Sequence, residues 1–427
     1  MALTGEPPDP TRRYAWLSFL QWLPVGLTIV PMVLLLLERG FSLAEVAALG
    51  AISAVTVGVL ELPTGGLADV IGRKPVLIAS AVAHAVALLL LGLSGSFALL
   101  AVSAALRGIA RALSSGPLEA WYVDTAQAVR GSDDSSYLTS GLARGEVAAS
   151  IALAVGTVAG GLLPLPLSDL ELPVPPLAIP VLAAAAVEVL RLGVTARIPD
   201  VPGASTSLGS VLRSVPATIG AGLRLGAGNA LVLRLLLIGS ATGVTLGVIE
   251  LVTPGWLGEL ASQPERAALA YAALATVGFA ADALGALLAP VARRRLQTPA
   301  RASAAVTAIA LAGSLGLVAA SCMGGLSALA CAGTAYVAVF LGLGAAGPPL
   351  GELLHGQVDS QKRATLLSLQ SLVFQVTGAG GAVLAGWLTV RSGPSAGFAV
   401  AVASMAAALA MLASMTSRAA PPGTAGG

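Results

Sequence analysis

The chain has 427 residues, of which 56% are hydrophobic and only 10% are charged, and its mean hydropathy is +0.88. Soluble domains carry about 25% charged residues, so this composition argues against a large soluble protein and indicates an integral membrane protein. Strand-type alternation is absent from the sequence, which argues against an outer-membrane barrel. The net charge of +2 is too small to indicate nucleic-acid binding.

Few residues of this sequence are suited to catalysis or metal binding. The two cysteines, Cys322 and Cys331, have no ligand spacing between them and are interpreted as packing residues. No nucleophile–base pair and no phosphate-binding loop is recognisable. The sequence therefore predicts neither an enzyme nor a metal or cofactor site.

Long apolar segments divide the chain into candidate membrane spans. A spanning helix needs about 20 apolar residues, and twelve windows of the sequence meet this requirement. They lie at 15–37, 43–64, 75–94, 97–121, 141–163, 174–196, 229–253, 265–289, 301–320, 324–347, 364–390 and 395–416.

Basic residues are distributed unequally between the two sets of connecting loops. With an even number of spans, Arg39, Arg266 and Arg391 lie on one side of the membrane. All other loop arginines and both lysines lie on the opposite side, which also carries both termini. The positive-inside rule therefore places both termini in the cytoplasm.

A central segment separates two groups of six spans and divides the chain into 1–196, 197–228 and 229–427. It begins with the Pro/Gly/Ser-rich stretch "RIPDVPGASTS". Six apolar residues then follow at helical spacing, which predicts an amphipathic helix in the membrane interface. A disordered linker is the alternative. The apolar residues are Leu208, Val211, Leu212, Val215, Ile219 and Leu223.

The two groups of spans show an internal repeat. A shift of 221 positions aligns Glu61 with Asp282 and Arg73 with Arg294. "SGPLEAW" near the end of the fourth span also resembles "GPPLGEL" near the end of the tenth. Duplicated halves are a recurrent plan in secondary transporters.

The stretch "GGLADVIGRK" between the second and third spans resembles the loop signature of the major facilitator superfamily, written G-x-L-x-D-x-x-G-R-K/R. The residues that fall on the signature are Gly65, Leu67, Asp69, Gly72, Arg73 and Lys74, and Gly66 occupies its first variable position. This resemblance implies an all-α integral membrane protein with the major facilitator fold, in which twelve transmembrane helices form two pseudo-symmetric six-helix bundles.

The resemblance also implies a gate. In proteins that this sequence resembles, the acid of the signature faces the start of the eleventh helix, so Asp69 would lie near the helix that begins at Lys362, whose free N–H groups favour an anion. Arg73 would reach an acid at the end of the fourth helix, with Asp124 as first candidate and Glu119 as second. The alternative is that the basic residues of this loop only set the membrane orientation.

Several charged residues fall inside the predicted spans, where a buried charge costs roughly 2.5–3.5 kcal/mol. Arg107 and Arg111 share one face of the fourth span, and their candidate partners are Glu188 and Glu146. A carboxylate in an apolar setting exchanges protons near neutral pH. We therefore expect this group to serve proton coupling or recognition of substrate charge, and a static internal ion pair is the alternative.

Three further ionisable residues lie in the spans. Glu61 is expected to pair with an arginine of the fourth or fifth helix, notably Arg144, and a structural salt bridge is favoured over a transport role. Glu250 is expected at the rim or in the cavity. His84 is expected to be a buried neutral histidine and not a proton relay.

In folds of this family, helices one, four, seven and ten line a central cavity, and the eleventh helix contributes to it. This implies a substrate cavity with few polar groups among apolar walls, which suits a lipophilic substrate better than a sugar. The cavity residues are expected to be Gln21, Trp22, Thr242, Thr245, Tyr336, Gln370, Phe374 and Gln375.

The fifth span contains "GTVAGG", which resembles the antiporter signature G-P-x-x-G-G of drug/proton exporters through Gly156, Gly160 and Gly161. Thr157 replaces the proline of that signature.

These observations together predict a proton-driven exporter of hydrophobic or amphipathic small molecules that works by alternating access. The partners are a small-molecule substrate and the lipid bilayer, the energy source is the proton gradient, and no cofactor is expected. The preference for arginine over lysine and the high Ala and Gly content indicate a bacterium, so we expect the inner membrane as the location, and the resemblance implies a monomer. The alternatives are an uptake symporter or facilitator for a small metabolite, and a non-transporting receptor or scaffold.

Overall fold

The computed structural model describes residues 9–130, 135–199, 229–355 and 360–418. At 62, 63, 65, 66, 69, 129, 130, 135, 136, 139, 355, 360–368, 417 and 418 it describes the backbone alone. Within these ranges all regular secondary structure is helical. The α-helices are α1 Pro10–Ile29, α2 Pro31–Glu38, α3 Leu43–Ile71, α4 Arg73–Leu93, α5 Phe97–Ser114, α6 Pro117–Arg130, α7 Ser135–Leu162, α8 Ala178–Thr195, α9 Ala230–Leu260, α10 Pro264–Leu296, α11 Pro299–Ser321, α12 Gly325–His355, α13 Ser360–Ser392 and α14 Pro394–Arg418.

Proline and capping side chains set many of the helix starts. Proline is the first residue of six of these helices: α1, α2, α6, α10, α11 and α14. Its missing N–H costs nothing there, because the first amides of a helix have no intrahelical partner. Asn229 caps α9, since its side-chain oxygen accepts hydrogen bonds from the amides of Leu231 and Val232 at 2.9 and 3.3 Å.

Eleven of these helices are long and apolar enough to cross a membrane, and the bent pair α1–α2 makes a twelfth span. The bend is 42° and lies at Pro31, which removes a backbone donor from the helix. Each of the twelve predicted windows overlaps one of these spans. The fourth window covers both α5 and α6, because Gly116 adopts φ +91° and Pro117 starts a new helix.

The chain divides into two compact units. Unit 1 consists of Met1–Gly40, Ile52–Pro216 and Gln263–Ala272. Unit 2 consists of Phe41–Ala51, Ala217–Ser262 and Ala273–Gly427. The predicted amphipathic helix falls within 200–228, outside the described residues.

In unit 1, α1 packs on α7 and α8, and α4 packs on α5 and α8. Its core contains the stacked rings of Tyr14 and Tyr122, whose centroids are 4.6 Å apart, together with buried Trp121. In unit 2, α11 packs on α12 and α14, and α9 packs on α13 and α14. Large apolar side chains such as Leu190, Leu287 and Leu326 are exposed on the helices, as expected for a surface that faces lipid.

Candidate functional site

A buried ion-pair cluster joins α4 and α8 in unit 1. Glu188 is fully buried, and its Oε2 accepts a hydrogen bond from Nε of Arg191 at 2.6 Å. Its other oxygen, Oε1, lies 2.7 Å from Nδ1 of His84. Arg191 also donates from Nη2 to Ser80 Oγ at 3.3 Å, and Ser80 donates to the carbonyl of Ala110 on α5 at 2.9 Å. The cluster therefore ties three helices of unit 1 together.

The charges of this cluster balance within it. An arginine is always protonated, so the Glu188–Arg191 pair is neutral as a whole. Chemically, this is a structural ion pair whose carboxylate also contacts the His84 ring.

This geometry corrects the prediction that Glu188 pairs with Arg107 or Arg111. Glu188 bonds instead to Arg191, three residues further along the same helix. The spacing is visible in the sequence, because residues three apart are neighbours on a helix. His84 is half-buried and hydrogen-bonded to the carboxylate, a partnership that no signal in the sequence indicates.

A second charged cluster lies on α1, α2 and α5 of unit 1. Arg107 donates from Nη1 to the thioether sulfur of Met32 at 2.7 Å, and its buried Nε has no hydrogen-bond partner. The guanidinium carbon of Arg111 lies 5.0 Å from the centre of the Trp22 ring, a cation–π contact. Among the described side chains, neither guanidinium has a carboxylate within 4.0 Å.

Glu61 and Glu146 are the other two acids for which the sequence suggested a role with arginines. The charge of Glu61 acts on Arg111, and the predicted salt bridge of Glu61 with an arginine, notably Arg144, stays a prediction. Glu146 is exposed on α7. In both cases a role in coupling stays a prediction.

The turn of the loop signature is built around Gly72 and Arg73. Gly72 adopts φ +92° between α3 and α4, a conformation that side-chain-bearing residues rarely adopt. Arg73 Nε lies 3.6 Å from Asp124 Oδ2, the first of the two predicted partners, whereas Glu119 is exposed. Lys74 donates to the carbonyl of Ile198 at 3.0 Å, so it anchors the segment that follows α8.

The other half of the predicted gate falls outside the described side chains. Gly65, Gly66 and Asp69 lie on α3, and Lys362 lies on α13, but only their backbone is described. The Asp69 latch stays a prediction.

The glycines of the fifth predicted span pack α7 closely against other helices of unit 1. A Cβ at Gly156 would lie 2.8 Å from the carbonyl oxygen of Leu23 and 2.9 Å from the Cα of Gly26 on α1. A Cβ at Gly160 would lie 2.7 Å from the Leu27 carbonyl oxygen, and one at Gly161 would lie 3.0 Å from the Ala268 carbonyl oxygen. Small residues permit this approach, which is how transmembrane helices commonly associate.

The predicted cavity residues occupy different environments in the two units. In unit 1, Trp22 is half-buried beside Arg111, and the Oε1 of Gln21 is buried without a hydrogen-bond partner. In unit 2, Thr245 is fully buried and lies 3.1 Å from Ser404 Oγ on α14. Its hydroxyl joins two packed helices, and a role for Thr245 in substrate binding stays a prediction.

Tyr336 is likewise buried, with 1% of its surface exposed, and it stacks on Phe340 at 5.5 Å. A role for Tyr336 in substrate binding likewise stays a prediction. The carbonyl oxygen of Phe374 contacts Gly243 on α9, and Gln375 Nε2 lies 3.3 Å from Ser371 Oγ. Thr242 and Gln370 are half-buried, and a role in binding stays a prediction for both.

Glu250 is an exposed carboxylate on α9 of unit 2. Within the part of the chain whose side chains are described, it forms no ion pair. Over the same residues, no group of three or more His, Cys, Asp or Glu side chains is arranged to hold a metal ion.

Comparisons with known proteins find similarity in structure only. No family model and no curated protein sequence matches the chain. The nucleoside transporter NupG superposes with a TM-score of 0.74 at 12% identity, over 96% of this chain and 98% of that chain. A bacterial homologue of the iron transporter ferroportin, in an inward-facing state, gives 0.72 at 15% identity, over 97% and 100%. A POT family transporter in complex with 5-aminolevulinic acid gives 0.70 at 13% identity, over 97% of each chain.

The chain has the major facilitator fold. The fold predicted from the loop signature is therefore confirmed, and the protein is a multi-pass membrane protein. At these identities the likeness extends to the major facilitator fold alone, and it does not place the chain in the drug/proton antiporter branch.

Proposed function

We propose that the protein is a secondary active transporter of small molecules that uses the proton gradient and works by alternating access. The fold supports this proposal, because the three solved structures described above are named as transporters. Their named substrates are a nucleoside and iron, and the third is bound to 5-aminolevulinic acid. This diversity means that the fold alone does not identify a substrate.

The observation that carries the proposal is the pair of arginines on α5. Arg107 and Arg111 lie in a span and have no carboxylate within 4.0 Å among the described side chains. An uncompensated charge in the hydrocarbon region is costly, so ionisable residues there are functional candidates. A receptor or scaffold without a substrate has no need of such groups.

For proton coupling, the structure supports Glu250 over Glu188. Glu188 is held by Arg191 at 2.6 Å, and removal of its charge would leave that guanidinium unpaired. Among the described side chains Glu250 has no such cation, so protonation removes a charge without breaking an ion pair within the protein. We assign the coupling role to Glu250.

Direction and location complete the proposal. The arginine distribution supports two cytoplasmic termini, the composition supports a bacterial inner membrane, and the resemblance to the major facilitator superfamily supports a monomer. The sequence favours efflux of hydrophobic or amphipathic compounds, and the likeness to a nucleoside transporter and a POT family transporter supports uptake of a small metabolite equally. Direction therefore has to be measured.

The test uses proteoliposomes that contain the purified protein and the pH-sensitive dye pyranine. Three probes are added outside: ethidium as a lipophilic cation, uridine as a nucleoside, and 5-aminolevulinic acid. Protein-dependent probe entry with alkalinisation of the lumen indicates proton exchange, entry with acidification indicates symport, and entry without a pH change indicates a facilitator. Glu250→Gln should abolish the pH change, with Glu259→Gln, near the end of the same helix, as the matched control.

The outcomes separate the candidates. The facilitator result would overturn proton coupling but not transport. If none of the three probes enters faster than in protein-free liposomes, the transporter proposal in this form is overturned and a receptor or scaffold is favoured.

A further inference from the structure

We propose that Arg107 and Arg111 form a binding site for a small organic carboxylate whose body is apolar and planar. This inference rests on the proposed function and names the substrate class for the same protein. The two residues lie four positions apart on α5, so their side chains extend along one face of the helix.

The hydrogen bonds of Arg107 are far from complete. A guanidinium carries five N–H donors. In Arg107, one nitrogen meets the thioether of Met32, a weak acceptor, and the buried Nε has no acceptor. A buried donor without a partner costs free energy that a bound acceptor would recover.

The same chain shows how it satisfies a structural arginine. Arg191 is buried, and it bonds to the carboxylate of Glu188 at 2.6 Å and to the hydroxyl of Ser80 at 3.3 Å. Among the described side chains, Arg107 has neither kind of partner. The contrast indicates that the acceptor for Arg107 is supplied from outside the protein.

The charge count agrees with this interpretation. Glu61 is the carboxylate whose charge acts on Arg111, and the described structure offers none to Arg107. Among the described side chains, two positive charges and one carboxylate act in this cluster, which leaves one positive charge without a counter-ion. A monoanion neutralises it, and a neutral or cationic compound does not.

The surroundings define the rest of the ligand. Carboxylates match the planar fork of a guanidinium and form two parallel hydrogen bonds with it. The adjacent groups are the indole of Trp22 and the thioether of Met32, both suited to an apolar, planar body. A bare inorganic anion would leave these groups without a partner.

Binding is tested on the purified full-length protein in detergent, by thermal unfolding and equilibrium dialysis. The probes are benzoate, benzyl alcohol as its neutral counterpart, and inorganic phosphate. We expect benzoate to raise the melting temperature, and the other two to have little effect at equal concentration. Either equal stabilisation by benzyl alcohol or phosphate, or no stabilisation by benzoate, would overturn the proposal.

Variants make the assignment to Arg107 specific. Arg107→Met should reduce benzoate affinity at least about tenfold and should raise the melting temperature of the ligand-free protein, because it removes an uncompensated charge. A purely structural arginine would give the opposite shift. Arg301→Gln, at an exposed position on α11, removes the same charge elsewhere and should leave benzoate binding unchanged.

If Arg107→Met does not fold, Arg111→Gln, at an exposed position on α5, should likewise reduce benzoate affinity. Unchanged benzoate affinity in the arginine variants would overturn the site. Because binding is measured without transport, benzoate can bind a protein that moves none of the three liposome probes. The two proposals therefore fail separately.

Discussion

Arg293 and Glu352 form a two-point ion pair in unit 2, with Nε–Oε2 at 2.9 Å and Nη2–Oε1 at 3.0 Å. In unit 1, Arg73 and Asp124 form the corresponding pair at 3.6 Å. In each unit an arginine close to the junction between the second and third spans reaches an acid near the end of the fourth. The repeat in the sequence aligns Arg73 with Arg294. In the structure, the residue that corresponds to Arg73 is Arg293, one position earlier. The shared arrangement is what duplication of a six-span half predicts.

The ion pair between Arg293 and Glu352 should contribute little to stability. Their side chains are 32% and 50% exposed, and exposed pairs contribute about 0–1 kcal/mol. We expect Arg293→Ala, Glu352→Ala and the double variant to give a coupling energy below about 1 kcal/mol in thermal unfolding in detergent. A coupling energy above about 2 kcal/mol would show that the pair is shielded from solvent.

Asp9 should make stability depend on pH at the acidic end. Its Oδ1 accepts hydrogen bonds from Tyr137 Oη at 2.7 Å and from the amide of Thr11 at 3.1 Å, and these bonds hold the pKa of Asp9 below its usual value. A lowered folded-state pKa means that the contribution is present at neutral pH and is lost as the pH falls below about 4. Asp9→Asn keeps a capping oxygen but cannot titrate.

The difference in melting temperature between wild type and Asp9→Asn, followed from pH 7 to pH 3, isolates this group from other carboxylates. We expect wild type to lose its advantage over the variant at acidic pH. The effect should be small because Asp9 is exposed. A constant difference across the range would contradict the assignment.

Much of the fold follows from hydropathy and from proline. Each predicted window overlaps a span, because about 20 apolar residues in a row have no other stable environment. The "GP" of "SSGPLE" also signals the break between α5 and α6, since glycine permits the positive φ and proline starts a helix. The predicted windows miss that break, because the apolar run continues across it.

The partners of the charged residues cannot be predicted in the same way. Hydropathy gives the depth of a residue in the membrane but not which neighbouring helix its face meets. Depth in the membrane alone therefore pairs Glu188 with Arg107 and Arg111. In the structure, the face of α8 that carries Glu188 is turned toward His84 on α4. Polarity alone assigns Thr245 and Tyr336 to a cavity, and packing in unit 2 buries both.

The close contact between α1 and α7 predicts opposite effects for two glycine substitutions. At Gly156 a Cβ would already lie within 2.9 Å of atoms of Leu23 and Gly26, so Gly156→Leu must force the helices apart. We expect this overpacking to reduce stability by about 1–3 kcal/mol or more.

Gly333→Ala on α12, where a Cβ meets no atom within 4 Å, should instead be neutral or stabilise the helix by up to about 1 kcal/mol. Thermal unfolding of both variants in detergent decides this, and equal destabilisation by the two would contradict the packing role of Gly156.

The buried pair of Glu188 and Arg191 predicts a non-additive pattern. Glu188→Ala leaves a guanidinium that is 3% exposed without its counter-ion, which should cost about 3–5 kcal/mol. Replacing both residues, as Glu188→Leu with Arg191→Met, removes the uncompensated charge and should cost less than Glu188→Ala alone, because apolar side chains of similar volume replace a buried ion pair with little penalty.

Glu171→Ala, at an exposed loop position, is the matched control and should change stability by less than about 0.5 kcal/mol. Thermal unfolding of the four proteins in one detergent gives the comparison. A double variant less stable than Glu188→Ala alone would contradict the pairing of Glu188 with Arg191 that their 2.6 Å contact shows.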